Sequence, residues 1–90
     1  MQEYLAEFVG TLFFCFVIIA APNTNMKPLT VGAALAVAIM IVGKLSGGHF
    51  NPAVTIMMMM MKKMKQEHVI PYIVAQVLGG VAAIELTKVL

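Results

Sequence analysis

Three long apolar segments account for most of the chain and constrain what it can fold into. They cover residues 4–21, 29–45 and 68–88, and each reaches the length that a helix needs to cross a hydrocarbon core of about 30 Å. Of the 90 residues, 61% are hydrophobic and 11% are charged, whereas ordinary soluble domains carry roughly 25% charge. A chain with so little polar surface cannot cover a core in water. The sequence therefore predicts an all-α integral membrane protein that crosses the bilayer several times.

The charged residues are few, and they exclude other classes of function. All six basic residues are lysines and the four acidic residues are glutamates, so no basic patch for nucleic acid exists. The chain has no Ser/His/Asp arrangement, no metal-spaced Cys/His set and no phosphate-cradling glycine loop. We therefore expect no enzyme activity, no cofactor and no metal. The single Cys15 lies in an apolar segment and is predicted to be a buried, inert thiol.

The first apolar segment has a competing interpretation as a cleaved signal peptide. Such a peptide begins with positively charged residues, but here Glu3 and Glu7 precede or interrupt the segment and no lysine does. A membrane span is the better interpretation. The other two segments carry small residues at helical spacing, which let neighbouring backbones approach closely. These are Gly32 and Ala36 in the second segment, and Ala75, Gly79 and Ala83 in the third.

The most specific pattern lies between the second and third segments, at residues 46–61. Gly47 and Gly48 favour irregular backbone, and Asn51-Pro52 is a strong signal for the start of a helix. A helix from Asn51 to about Met61 would be roughly 16 Å long, about half the hydrocarbon thickness. Because it cannot span the bilayer, we predict a loop that enters the membrane and a half-helix that leaves on the same side. Irregular backbone at that depth must be buried in protein or line a watery cavity.

The run SGGHFNPAVT at residues 46–55 resembles the first NPA box of the major intrinsic proteins, the aquaporins and glycerol facilitators. It stands in register with AEFxGT at residues 6–11 and PYxxAQxxG at 71–79, which resemble the family at matching places. The similarity covers nearly the whole chain but only the first of the family's two inverted repeats. The resemblance implies one aquaporin-like repeat over residues 1–90, which is one half of a right-handed helical bundle.

The resemblance also implies a function, which is passive transport of water and small uncharged solutes such as glycerol. Asn51 would donate to the solute at the pore centre, and Pro52 and Ala53 would fix the start of the half-helix. The carbonyl groups of the residues before it would accept hydrogen bonds along one wall. These are Gly47, Gly48 and His49.

Three further residues take supporting or selective roles in this resemblance. Val31 falls where the family places a residue of its narrow filter, and an aliphatic side chain there favours relaxed selectivity. Glu7 would hydrogen-bond the loop backbone, although a position near the membrane surface would also explain it. Gln76 would donate to loop carbonyls.

His49 and the methionines of the short helix each have two interpretations. His49 is a hydrogen-bonded scaffold residue or a pH sensor, since an unperturbed histidine titrates near neutrality. The methionines at 57–61 and Met64 fill space around a fully buried short helix, or they bind a soft metal ion. Consecutive helical positions point in all directions, which favours packing.

One repeat supplies half of a pore wall, so the resemblance implies a second repeat as partner. That repeat comes from an inverted copy of this chain, from another chain, or from the rest of a longer one, and a tetramer-like ring is implied. A non-conducting half-channel or an interaction partner of another membrane protein is the alternative. Lys44, Lys62, Lys63 and Lys65 on one side against Lys27 and Lys88 on the other predict a cytoplasmic N-terminus, in the plasma or inner membrane.

Overall fold

The computed structural model describes residues 1–90 as three long helices and one short helix, which confirms the predicted fold class. Each long helix is long and apolar enough to cross a membrane. The expected spans at 4–21, 29–45 and 68–88 fall close to the observed helices, and the short helix is Pro52–Met60. The long helices are α1 (Gln2–Ala20), α2 (Lys27–Ser46) and α4 (Val69–Val89), the short one is α3, and a 3₁₀ turn (Gln66–His68) precedes α4.

Helix α1 is the centre of the bundle, because it packs against both α4 and α2, while α3 rests on α4. The crossing of α1 and α4 is close enough to bring backbones into contact at Gly79. A Cβ atom at this position would lie 2.7 Å from the carbonyl oxygen of Phe8 and 3.1 Å from the amide nitrogen of Leu12. Ala75 and Ala83 are buried on the same face. The small residues of the third segment therefore pack within the bundle, whereas a Cβ atom at Gly32 on α2 would lie in open space.

The segment between α2 and α4 begins and ends at the same end of the bundle, beside the start of α1. Ser46 at the end of α2 donates a hydrogen bond to Glu7 in the second turn of α1. His68, at the start of α4, lies with its Nδ1 atom 2.7 Å from the hydroxyl oxygen of Tyr4 in the first turn of α1. With nine residues, α3 is about 14 Å long. This geometry is that of a loop entering the bundle and a half-helix returning from it.

Local signals set the ends of α3. The side chain of Asn51 accepts a hydrogen bond from the amide of Ala53, and Pro52 occupies the first helical position. At the other end, the amides of Lys62 and Lys63 donate to the carbonyls of Met59 and Met58. That pair of bonds is a Schellman motif.

The expectation that α3 is fully buried is wrong for this chain. Met60 is 72% exposed, Met61 55% and Met57 47%. The physical reason is that α3 has only α4 to pack against, so its remaining faces are free. Thr55 is the one residue of α3 that is buried.

The Gly79 crossing generates a prediction about stability. Gly79→Ala places a methyl group against the backbone of α1, and we expect it to lower the free energy of unfolding by about 1–3 kcal/mol. Gly80→Ala is the matched control, because its Cβ would meet only the Cys15 sulfur at 3.8 Å. Thermal unfolding in detergent micelles measures both. Equal unfolding midpoints for the two variants would show that the close crossing does not hold α1 against α4.

Candidate functional site

The carboxylate of Glu7 is the centre of a buried hydrogen-bond network. Its side chain is 0% exposed. Oε2 accepts from the Ser46 hydroxyl at 2.7 Å and from the His49 amide at 3.0 Å. Oε1 accepts from the Phe50 amide at 2.8 Å and from Nε2 of Gln76 at 2.8 Å. Four donors from the end of α2, the loop and α4 therefore meet one side chain of α1.

These four bonds explain how a carboxylate can lie inside an apolar bundle. A carboxylate has about four acceptor positions, and the four donors around Glu7 match that number. Burial of an acidic group without such partners is strongly unfavourable, and each hydrogen bond to a charged group contributes about 1.5–3 kcal/mol. The expectation for Glu7 was contact with the loop backbone, and the structure has two such bonds.

Thr55 in α3 is a second point of attachment for the loop. Its hydroxyl oxygen lies 2.8 Å from Nε2 of Gln76 and 2.8 Å from Nδ1 of His49, and the residue is 0% exposed. The expected partners of Gln76 were loop carbonyls, and the structure corrects this. Its amide nitrogen is drawn to the carboxylate of Glu7, which accepts and cannot donate.

Aromatic side chains close the network toward the end of the bundle. The Tyr72 hydroxyl donates to the carbonyl of Ser46 at 2.7 Å. Its ring lies 5.0 Å from the His49 ring and 5.9 Å from the Tyr4 ring, measured between centroids. His49 therefore has a hydrogen-bond partner at Nδ1 and an aromatic neighbour beside its ring. Sequence reasoning assigned no role to Ser46, Thr55 or Tyr72, although all three stand inside the family-like motifs.

The loop backbone adopts left-handed conformations at three residues. Gly47 and Gly48 have φ values of 94° and 67°, which glycine adopts without steric cost. Phe50 has a φ of 55°, which is uncommon for a residue with a side chain. The hydrogen bond that its backbone amide donates to Glu7 and the burial of its ring stabilise this conformation. The ring occupies the space where a Cβ of Gly10 would lie.

The start of α3 presents a free hydrogen-bond donor and free acceptors. Oδ1 of Asn51 accepts from the Ala53 amide at 2.8 Å, which leaves the side-chain NH₂ group without an intramolecular partner. Asn51, Pro52 and Ala53 are exposed on the surface of the repeat. The carbonyl oxygens of Gly47, Gly48 and His49 accept no hydrogen bond from another group of the chain.

Val31 is the one candidate residue that the structure does not bring to this loop. It lies half-buried in the second turn of α2. From there to Ser46 the helix extends for about 22 Å at 1.5 Å per residue. Val31 therefore lies toward the opposite end of the bundle.

Comparison with known proteins identifies the family of this chain. The sequence model described as "Major intrinsic protein" matches residues 1–90. The chain belongs to the major intrinsic protein family. Proteins of this family are channels and not enzymes, and they are integral membrane proteins with several spans, as the three apolar helices of this repeat also indicate.

Three relatives illustrate the similarity. The chain is 39% identical over 93 residues to "Glycerol uptake facilitator protein-like 6" of Lactiplantibacillus plantarum, covering 98% of this chain and 43% of that protein. It is 38% identical over 96 residues to "Aquaporin-8" of Mus musculus, with coverages of 99% and 37%. It is 38% identical over 101 residues to "Aquaporin Z" of Brucella melitensis, with coverages of 100% and 44%.

The chain spans less than half the length of these curated relatives. No solved structure matches it. The structure therefore describes a half-domain of the major intrinsic protein family, with three long apolar helices and one short helix.

The Glu7 network generates a second prediction. Glu7→Gln replaces one acceptor oxygen by an NH₂ group. In either orientation of the new side-chain amide, this group faces the backbone amide of His49 or of Phe50, so at least one backbone hydrogen bond is lost. We expect a loss of at least about 1.5 kcal/mol in local stability, measured as faster hydrogen exchange at the amides of His49 and Phe50. Glu3→Gln is the control, since Glu3 is paired only with the N-terminal amine. Unchanged protection of both amides in Glu7→Gln would contradict the role of the carboxylate.

Proposed function

We propose that this repeat forms one half of the pore wall of a membrane channel for water and small uncharged solutes such as glycerol. The observation that carries the proposal is the free NH₂ group of Asn51, fixed by the Ala53 amide at the start of a half-length helix. The names of the relatives support water and glycerol as the solutes.

The chemistry of the loop suits passage of a small neutral molecule. A solute that leaves bulk water gives up hydrogen bonds, and a narrow channel must replace them with donors and acceptors along its wall. The Asn51 side chain supplies a donor, and the free carbonyls of Gly47, Gly48 and His49 supply acceptors close by. The positive end of the α3 dipole at Asn51 raises a barrier to cations and protons.

A second repeat completes the proposed pore. Asn51, Pro52 and Ala53 lie exposed on the surface of this repeat, and unpaired polar groups that face lipid cost several kcal/mol each. Another protein surface must therefore cover them. It is supplied by an inverted second copy, by another chain, or by further sequence of a longer protein, and such units fit a tetramer-like ring.

The distribution of lysines supports an orientation with the N-terminus in the cytoplasm. Lys44 lies at the end of α2 and Lys62, Lys63 and Lys65 lie between α3 and α4, which is the end where α1 begins. Only Lys27 and Lys88 lie at the opposite end. Lysines concentrate on the cytoplasmic side, so we place the protein in a plasma or inner membrane with this end inward.

Asn51→Leu tests the assignment of the pore. It removes a hydrogen bond of about 1–1.5 kcal/mol to the passing solute and the helix cap, worth about 1 kcal/mol. We expect the water permeability of proteoliposomes to fall about tenfold, measured by stopped-flow light scattering. Asn25→Leu, in the exposed connection between α1 and α2, is the matched control.

Asn51→Asp distinguishes the role of Asn51 as a helix cap from its proposed role in the pore. The aspartate keeps the acceptor for the Ala53 amide but places an anion at the pore centre, so cation exclusion should weaken while the fold persists.

Equal water flux in the wild type and Asn51→Leu would make the pore assignment wrong. A chain that shows no flux, alone or together with a full second repeat, would favour the alternative of a non-conducting partner of another membrane protein.

Val31 generates a prediction about selectivity. Because its side chain is small, glycerol should pass along with water, and Val31→Phe should lower glycerol flux more than water flux. Swelling of proteoliposomes in glycerol, compared with shrinkage in an impermeant osmolyte, measures the two fluxes in one preparation. Water flux with complete exclusion of glycerol in the wild type would contradict a relaxed filter.

A further inference from the structure

A surface hollow lies where the chain turns from α3 into α4, apart from the loop that carries Asn51. It is lined by one cation, one amide and three thioether side chains. We call it the lysine hollow, and its residues are Met59, Met60, Lys62, Met64 and Gln66. The soft-metal interpretation of these methionines is weakened here, because Lys62 shares the hollow and repels a metal cation.

The backbone at Lys62 is the most unusual feature of the hollow. Lys62 has a φ of 60° and holds the position of the Schellman motif that glycine normally occupies. A residue with a side chain is disfavoured in this left-handed conformation. A strained backbone at a residue whose side chain lines the hollow points to a use for that side chain. The turn also brings Met64 back beside Met59 and Met60.

The electrostatic surroundings of the hollow favour an anion. Lys63 and Lys65 follow Lys62 and are exposed, while Glu67 is the one acidic residue of the turn. Lys44 lies at the same end of the bundle, on α2. The turn joins the end of a half-helix to the start of a spanning helix, so it lies at the level of the lipid headgroups.

We propose that the lysine hollow binds the headgroup of an anionic phospholipid. Lys62 and Gln66 supply donors to phosphate oxygens, and the flexible thioether chains of Met59, Met60 and Met64 adapt to the glycerol backbone and upper acyl chain. Clusters of lysine beside a membrane-spanning helix attract anionic lipids. The combination of a cation, an amide and an apolar wall suits an amphipathic ligand better than free phosphate. This proposal depends on membrane insertion and not on the proposed channel.

Lipid selectivity of the reconstituted 90-residue chain tests the proposal. Vesicles of equal parts phosphatidylcholine and phosphatidylglycerol carry a spin label on one lipid or the other, and the motionally restricted fraction of each label gives relative binding. We expect preference for phosphatidylglycerol in the wild type. Lys62→Gln and Lys62→Gly should reduce it about fivefold, the equilibrium factor for the ~1 kcal/mol that a lysine contributes near an anionic surface.

The variants separate binding from folding. Lys62→Gly relieves the left-handed strain at that residue, so loss of lipid preference in this variant does not reflect unfolding. Lys62→Arg keeps the charge and should retain the preference. Lys44→Gln is the matched control, because it removes a lysine from the same end of the bundle but outside the hollow.

Two results would overturn the proposal. Equal loss in Lys44→Gln and Lys62→Gln would show that the lysines attract lipid as a diffuse charge and not through the hollow. Displacement of the labelled lipid by inorganic phosphate, but not by chloride at the same ionic strength, would identify the site as one for free phosphate.

Discussion

One carboxylate holds the irregular part of this repeat together. The loop at residues 47–51 has no strand or helix to satisfy its backbone, and in a membrane each unsatisfied group is costly. The Glu7 carboxylate accepts hydrogen bonds from two of the loop amides. It also joins α2 and α4 to the loop through Ser46 and Gln76. The position of Asn51 follows from this network, because the chain passes directly from Phe50, bound to Glu7, into the cap of α3.

The closely packed faces of the helices and their exposed apolar faces are different parts of the bundle. The inner faces of α1 and α4 meet through small residues, with Gly79 against the backbone of α1. Most of the long apolar side chains are exposed on the outer faces of the helices. The polar network fixes the loop, while Asn51 at the start of α3 remains exposed.

Sequence reasoning predicted the elements of this fold better than their contacts. Apolar length and the Asn51-Pro52 signal were sufficient for three spans and a half-helix, because both are local properties. The predicted hydrogen-bond partner of Gln76 was wrong. Whether its side chain meets a loop carbonyl or the Glu7 carboxylate depends on how α1 and α4 approach each other. The exposure of Met60 was missed because it depends on which helices lie next to α3. The left-handed Lys62 carries no sequence signal, as lysine is not a residue that usually marks such a turn.

The hydrogen bonds of Glu7 also impose an order on the assembly of the repeat. Its donors stand 39 to 69 residues further along the chain, so the carboxylate is synthesised before any of them. At about 5–20 residues per second, the interval until Gln76 is made is roughly 3 to 14 seconds. Ser46, His49 and Phe50 are made earlier in that interval, and Gln76 of α4 is the last donor to be made. The insertion of α4 therefore completes the set of four hydrogen bonds to Glu7.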